Sequence, residues 1–293
     1  AIDTSPLAPA LYFADEHFLV PPSSKPDFLA TIFRLCEQFK IKLIVPTRDE
    51  ELPLFAGQKN KFANLGALVM VPGLDTVKIC QDKKLFVAFC QQNGFGIPAS
   101  YSDTSFPVDA QFPLFIKPRL GKGGRQTTRV NSKEELELAL KQVPDAIIQE
   151  FVQAAEYTVD LFADFSARVI SVVPRERTYI FGGESFVSRT SLNPTLIQES
   201  IRLATKLQLV GHNTIQCFYQ DGMVKFIEVN PRFGGAASLG FAAGAFTPVF
   251  LLKLVKGEAV APRIGEFKGD HIMLRYTEDL FLDASALTNK MLL

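Results

Sequence analysis

The chain has 293 residues, room for two domains or for one domain with a large insertion. Apolar residues make up 47% and charged residues 21%, with 31 Lys plus Arg against 31 Asp plus Glu. This balance excludes a disordered chain and argues against a polyanion-binding surface, so no nucleic-acid partner is expected. Cys36, Cys80, Cys90 and Cys217 form no CxxC pair, and the three histidines lack HExxH or HxxxH spacing, which argues against structural zinc. Free thiols and the lack of a basic-then-apolar leader point to a cytoplasmic protein. The longest apolar stretch, 239–252, is broken by Gly240, Gly244 and Pro248 and is shorter than the roughly 20 residues a bilayer span needs. It is expected to be a core or binding-wall segment, with no membrane contact.

Up to about residue 100, short apolar runs alternate with helical stretches, the pattern of an open, mainly parallel α/β sheet. A helix is predicted over 28–39, from Phe28, Leu29, Ile32, Phe33, Leu35, Cys36 and Phe39 at spacings of three and four. A strand follows at 42–46, a helix from near Glu50 with Pro53 in its first turn, a strand at 67–71, and one helix over 75–93 closed by Gly94. The opening AIDTSPLAPALYFAD reads as the second strand of a doubly wound domain, so a first strand and helix are expected to be missing. From 106 to 153 a second unit is predicted: strands at 114–117, 126–130 and 146–151 around a helix at 132–142. The capping box Ser132–Glu135 sets the start of that helix. Strands then dominate, at 157–163, 167–174, 214–219 and 223–229, the last two joined by an Asp221-Gly222 turn, with a helix at 194–207 between them. The expected division is an incomplete α/β domain to 98, a small lid over 99–153 and a larger, mainly antiparallel domain over 154–293.

Three runs carry candidate chemistry. In FIKPRLGKGGRQTTRV, residues 115–130, a strand delivers Lys117 into a loop with Gly121, Gly123 and Gly124, able to set amides and cations around phosphate oxygens. An ordinary hairpin loop reads equally well. In IIQEFVQAAEYTVDLF, residues 147–162, an apolar strand runs out through Glu150, Phe151 and Val152 toward Glu156. Exposed backbone there can read an adenine edge and the second acid a ribose, although an edge strand with surface acids explains the run as simply. In TIQCFYQDGMVKFIEVNPRFGGAA, residues 214–237, Gln216 lies on one strand and Glu228 and Asn230 on the next. Glu228 and Asn230 are two apart and share a strand face, with Arg232 just beyond. Hard oxygen donors beside a fixed cation suit magnesium–phosphate chemistry. The alternative is a paired surface acid at Glu228 and a turn at Asn230-Pro231, but an acid within FIEV is costly to bury without a cation or metal, which favours the functional reading.

The order of these motifs, from Asp82-Lys83 through IKP with GKGG, then QEF, EYTVD, IQ and EVNPR, resembles the ATP-grasp superfamily over roughly residues 1–275. The nearest likeness is to the carbamoyl phosphate synthase large chain and related carboxylate-amine ligases. The resemblance implies an ATP-grasp fold behind a doubly wound α/β domain, with ATP and Mg²⁺ as cofactors and Mn²⁺ as a substitute ion. It implies that Lys83 and Lys117 contact ATP phosphates under a lid loop containing Gly123 and Gly124. Glu150, Phe151 and Val152 would read adenine and Glu156 the ribose. Gln216, Glu228 and Asn230 would hold the metal, and Arg232 would steady the transferred phosphate. Arg175, Arg177 and Gly183, in VPRERTYIFGGES, resemble a stretch near the acceptor and are candidates for binding a substrate carboxylate, while a solvated loop of alternating charges explains the run equally well. The implied reaction is phosphorylation of a carboxylate, then attack by an amine, on small-molecule substrates. After Arg232 the run Phe233-Gly234-Gly235-Ala236-Ala237 departs from the synthase pattern, which counts against bicarbonate as the acceptor. A bicarbonate-using enzyme like the synthase or biotin carboxylase, and a non-catalytic nucleotide-binding module, are the alternatives. A symmetric dimer is a common state for enzymes of this size.

Overall fold

The computed structural model describes residues 1–101, 111–121, 126–284 and 287. By spatial proximity the chain divides into two compact units, one comprising Ala1–Val45, Gly57–Val69 and the chain from Tyr276, the other Pro46–Ala56 and Met70–Arg275. Residues 70–98, set in the first domain by the sequence reading, therefore cluster with the second unit.

In the first unit β1 (Ile2–Asp3) pairs in parallel with β2 (Phe18–Leu19). Helix α1 (Phe28–Gln38) buries Phe28, Ile32, Leu35 and Cys36, the stripe anticipated from the spacing. Strand β3 (Leu43–Ile44) leads to Pro46–Ala56, which belongs to the second unit and carries a 3₁₀ turn, Asp49–Glu51, running into α2 (Leu52–Gly57). The chain then resumes the first unit with α3 (Lys59–Asn64) and β4 (Leu68–Val69), parallel to β3. Phe62 of α3 packs against Phe33 of α1 in a tilted ring pair with centroids 4.4 Å apart. Parallel pairing is present, but among the described residues it forms two separate two-residue pairs rather than one open sheet.

The second unit opens with α4 (Leu74–Gln81) and α5 (Lys83–Gln92), where one helix was predicted over 75–93. The break is at Asp82, whose backbone is extended (φ −105°, ψ 108°) and whose Oδ1 accepts from the amides of Lys84 and Leu85 at 2.9 and 3.3 Å. An Asp that satisfies two orphan amides starts a new helix more readily than it continues an old one. The chain continues through β5 (Ser100–Tyr101), β6 (Leu114–Pro118), β7 (Thr128–Val130), α6 (Lys133–Gln142) and β8 (Ala146–Glu150). These strands form an antiparallel sheet in the order β5-β8-β6-β7. The Ser132 hydroxyl accepts from the Glu135 amide at 3.3 Å, as anticipated, while the Glu135 carboxylate accepts from the amide of Asn131, one residue before the cap, at 2.8 Å.

The larger sheet contains β9 (Ala155–Ala163), β10 (Val169–Phe181), β11 (Glu184–Thr190), β12 (Gly211–Gln220), β13 (Met223–Asn230) and β14 (Ile272–Leu274), with α7 (Pro194–Leu207), α8 (Ser238–Ala242) and α9 (Thr247–Val255) between strands. Its order is β13-β12-β9-β10-β11-β14, antiparallel throughout. Strand β10 runs on well past Pro174, where the prediction ended, and turns into β11 through Gly182 and Gly183. Both glycines have positive φ (59° and 81°), the conformation a two-residue hairpin turn demands. One sheet face carries Val159, Leu161, Val172, Ile215, Cys217, Phe226 and Val229 into the core with α5 and α7. Strand alternation sends their neighbours, the polar residues singled out in the sequence, to the other face. No helix among the described residues is long and apolar enough to cross a membrane.

Candidate functional site

A cavity of about 500 Å³ lies over the polar face of the larger sheet, within the second unit. Strand β6 buries Leu114 and Ile116 against α6, which turns Phe115 and Lys117 into the cavity. Glu150, Phe151 and Val152 at the end of β8 line one side. Glu156 and Thr158 of β9, Arg175 and Arg177 of β10, Ser185 of β11, Thr214 and Gln216 of β12, and Glu228 and Asn230 of β13 form the floor. Lys83, Gly183 and Arg232 complete the candidate residues brought together. Of the residues anticipated from the sequence, Gly123 and Gly124 lie outside the described ones.

The strand pair β12–β13 sets the oxygen donors. Gln216 stands opposite Glu228, and Thr214 opposite Asn230. A bulge follows Gln216 in the register, leaving Ile227 as the extra residue. The bulge lets Phe226 and Val229, three apart, both reach the core while Ile227, Glu228 and Asn230 line the cavity. The Asn230 side-chain nitrogen donates to Glu228 Oε1 at 3.0 Å, which leaves the Asn230 amide oxygen for a cation.

Two lysines line the same cavity as this carboxylate. Lys83 and Lys117 are 9% and 4% exposed, and Lys83 Nζ donates to the Gly121 carbonyl at 2.9 Å. Burial lowers the Lys117 pKa to about 8; Glu228 opposes the shift and Lys83 adds to it. Lys83 is lowered by burial too, against the opposing pull of Glu228 and Asp82. Asp82 fixes Lys83 at the start of α5 and pairs with Arg119 at 2.6 Å, and Arg119 continues to Asp145 at 3.3 Å. Burial alone would raise the Asp82 carboxyl, but the Arg119 guanidinium and the α5 amides outweigh it and hold it below the ordinary carboxylate range.

The two arginines expected to bind a substrate carboxylate are already paired. Arg175 Nε donates to Asp160 at 2.8 Å, both side chains being almost wholly buried. His212 Nε2 lies 3.6 Å from the other Asp160 oxygen, stacks on Phe233 with ring centroids 4.2 Å apart, and turns Nδ1 to the Thr247 hydroxyl at 3.0 Å. Burial would raise Asp160, yet Arg175 and His212 keep it lowered. Arg177 pairs with Glu156 and donates to the Gly183 carbonyl at 2.7 Å and to the Ser185 hydroxyl at 3.0 Å. Glu150 accepts from Lys225 and from the Ala99 amide at 3.1 Å, while the Phe151 amide donates to the Pro113 carbonyl at 3.2 Å.

Sequence reasoning missed Asp49, Asp160 and Glu184. Glu184 pairs with Arg275 at 3.1 Å, and its Oε2 lies where a Cβ on Gly235 would collide with it, so this glycine permits a close approach. Asp160 carries a detectable signal, an acid two positions beyond Thr158 on a strand whose alternate residues are apolar. Asp49 carries none, because its partner is Arg232, 183 positions away.

The fold agrees with comparisons to known proteins. Residues 80–236, more than half of the chain, match the ATP-grasp domain family, and residues 1–70 match the PylC-like N-terminal domain. The chain is 28% identical over 221 residues to the carbamoyl phosphate synthase large chain of Gemmatimonas aurantiaca, covering 67% of this chain and 20% of that one. It is 25% identical over 183 residues to the D-alanine–D-alanine ligase of Fusobacterium nucleatum, covering 58% and 62%. It thus spans about a fifth of the length of the synthase large chains it matches. Among solved structures, the Campylobacter jejuni biotin carboxylase superposes with a TM-score of 0.71 at 16% identity, over 89% of this chain and 65% of that one. The Bacillus licheniformis L-amino acid ligase does so with a TM-score of 0.68 at 18% identity, over 87% and 66%. The chain belongs to the ATP-grasp family.

Proposed function

We propose that this protein is an ATP-dependent ligase that phosphorylates a small-molecule carboxylate and joins the acyl-phosphate to an amine. The observation that carries the reading is one cavity lined both by Lys83, Lys117 and Arg232 and by the oxygen donors Gln216, Glu228 and Asn230. Phosphoryl transfer asks for positioning and charge neutralisation rather than a protein nucleophile, and this arrangement supplies both. The buried thiol of Cys217, on the opposite face of β12, is not needed.

The donor set fits Mg²⁺: one carboxylate and two side-chain amides, all hard oxygens, with nucleotide phosphates and water left to complete the shell. A bound Mg²⁺ would neutralise phosphate charge and orient the phosphoryl group for in-line attack. Lys83 and Lys117 hold phosphate oxygens, and their burial strengthens each contact by excluding water. The end of β8 takes the adenine, with Glu156 near the ribose. Arg175 and Arg177, fixed by Asp160 and Glu156, grip the substrate carboxylate with the donors their ion pairs leave over.

Thermal unfolding with MgADP, followed by phosphate release across a panel of carboxylate and amine pairs, tests this reading. A ligand at 100 times its dissociation constant stabilises by about 2.7 kcal/mol, so binding is visible directly. The expected result is stabilisation by MgADP and phosphate release that needs both substrates. No stabilisation at millimolar MgADP overturns the reading, and binding without turnover on any pair favours a non-catalytic nucleotide module.

A further inference from the structure

Arg232 follows β13 and is held from the side by a carboxylate of distant origin. Its Nε donates to Asp49 Oδ1 at 2.6 Å and its Nη2 to Asp49 Oδ2 at 2.7 Å. Its Nη1 donates to the Phe233 carbonyl at 3.1 Å. A guanidinium carries five N–H groups. These contacts use three, leaving one N–H on each terminal nitrogen without a protein acceptor among the described residues. With Asp49 on the Nε and Nη2 side, the remaining Nη2 N–H points away from the stem and Nη1 keeps a second donor, and such donors suit a tetrahedral anion or a carboxylate. Asp49 is itself fixed: it opens the 3₁₀ turn Asp49–Glu51, and its carbonyl accepts from the Gln81 side chain at 2.5 Å.

From this geometry we infer that Asp49 is a positioning residue, which orients the remaining Arg232 donors toward the phosphoryl group being transferred. A two-point grip removes rotation of the guanidinium that a single contact would leave. An arginine held this way meets the transferred group without first being ordered, and misplacement by about 1 Å at such a contact costs on the order of 10²-fold. The short segment 46–56 is in this way part of the phosphoryl-handling machinery. The inference rests on the ligase reading above.

The experiment compares the affinities of MgADP and of the magnesium complex of β,γ-imido-ATP by titration calorimetry. Their ratio isolates the grip on the γ-phosphate, and the MgADP affinity of each variant is its internal reference. Wild type, Asp49→Ala, Asp49→Asn, Arg232→Ala and the double variant Asp49→Ala/Arg232→Ala are measured, each checked for a cooperative thermal transition. Expected is a loss of about tenfold in the ratio for Arg232→Ala and a severalfold loss for Asp49→Ala. Asp49→Asn, which keeps one acceptor and the side-chain volume, should retain part of the ratio and stands in if the alanine variant does not fold. The double variant should be no worse than Arg232→Ala alone, since Asp49 acts only through the arginine. Asp49 and Arg232 effects that add independently, or an Asp49 replacement that leaves the ratio unchanged, overturn the inference while MgADP binding keeps the ligase reading. Absence of MgADP binding by wild type overturns both.

Discussion

Buried Lys117 shares its cavity with Glu228, whose negative charge opposes burial and Lys83 in setting the lysine pKa at about 8. Nucleotide phosphate reaching Lys117 adds negative charge and raises that pKa. Binding of MgADP above pH 8 should therefore take up protons, a substantial fraction of one at pH 8.5, and affinity should decline as pH rises further. Calorimetry at pH 8.5 in buffers of different ionisation heat reads the uptake directly. Lys117→Met should abolish it, and equal heats in all buffers for wild type would contradict the placement of phosphate against this lysine. The free protein shows the complementary sign. Between about pH 8 and the ordinary lysine value near 10.4, the unfolded chain binds more protons than the folded one, so the Lys117 contribution to stability rises with pH there.

Glu228→Gln preserves shape and removes the one carboxylate of the expected metal-binding set. Stabilisation by ADP should persist in part but lose its dependence on Mg²⁺, and phosphate release should fall by about 10²-fold or more. Both lysines lose their counter-charge, so their pKa values should move further down. A variant whose stabilisation by ADP still climbs with Mg²⁺ as in wild type would exclude Glu228 as a ligand.

The polar face of the larger sheet was largely legible in the sequence because strand alternation is local. Glu228 and Asn230, two apart, fall where that period puts them, whereas Arg175 and Arg177 share a face of a strand that was expected to end before them. The bulge at Ile227 was hidden; its only trace is Phe226 and Val229, core residues at an odd spacing of three. Strand β10 was cut short at Pro174, since proline removes a ladder donor, although here Pro174 stands opposite Val159 inside the strand. The helix break at Asp82 was missed because neither Gly nor Pro marks it, only an acid whose capping role depends on its own backbone conformation. The partners of the site cations come from register and tertiary folding, as with Arg175 and Asp160 across two strands or Arg232 and Asp49 across most of the chain. Periodicity does not encode such contacts.

Asp82 combines two roles that substitution separates. Asp82→Ala loses the α5 cap and should cost about 1 kcal/mol, whereas Asp82→Asn keeps the cap and loses only the charge facing Arg119. The Asp82 carboxyl is held below its ordinary range, so its contribution is present above the unfolded value near 3.9 and disappears as pH falls through the lower folded value. Urea unfolding should accordingly place Asp82→Asn between wild type and alanine at pH 7, and the gap between Asn and wild type should narrow toward pH 3. Lys83 begins α5 beside this cap and its amide donates to the Arg119 carbonyl at 3.2 Å, so the alanine variant should also bind MgADP more weakly. Unchanged MgADP affinity in a folded Asp82→Ala protein would disconnect the cap from Lys83.

The Asp160–Arg175 pair permits a test that separates folding from substrate binding. Asp160→Ala leaves a guanidinium buried without its counter-charge, and breaking a buried pair in this way costs about 3–5 kcal/mol. Replacing both partners by apolar side chains of similar volume, Asp160→Leu with Arg175→Met, removes the uncompensated charge, and such replacements are often neutral or stabilising. Denaturant unfolding should thus rank the double variant above Asp160→Ala. If Arg175 grips a substrate carboxylate, the stable double variant should still bind MgADP, which contacts other residues, and yet release no phosphate with any carboxylate and amine pair that wild type accepts. Turnover at wild-type rates by that double variant would remove Arg175 from the acceptor site and leave the ion pair a purely structural role beneath the cavity floor.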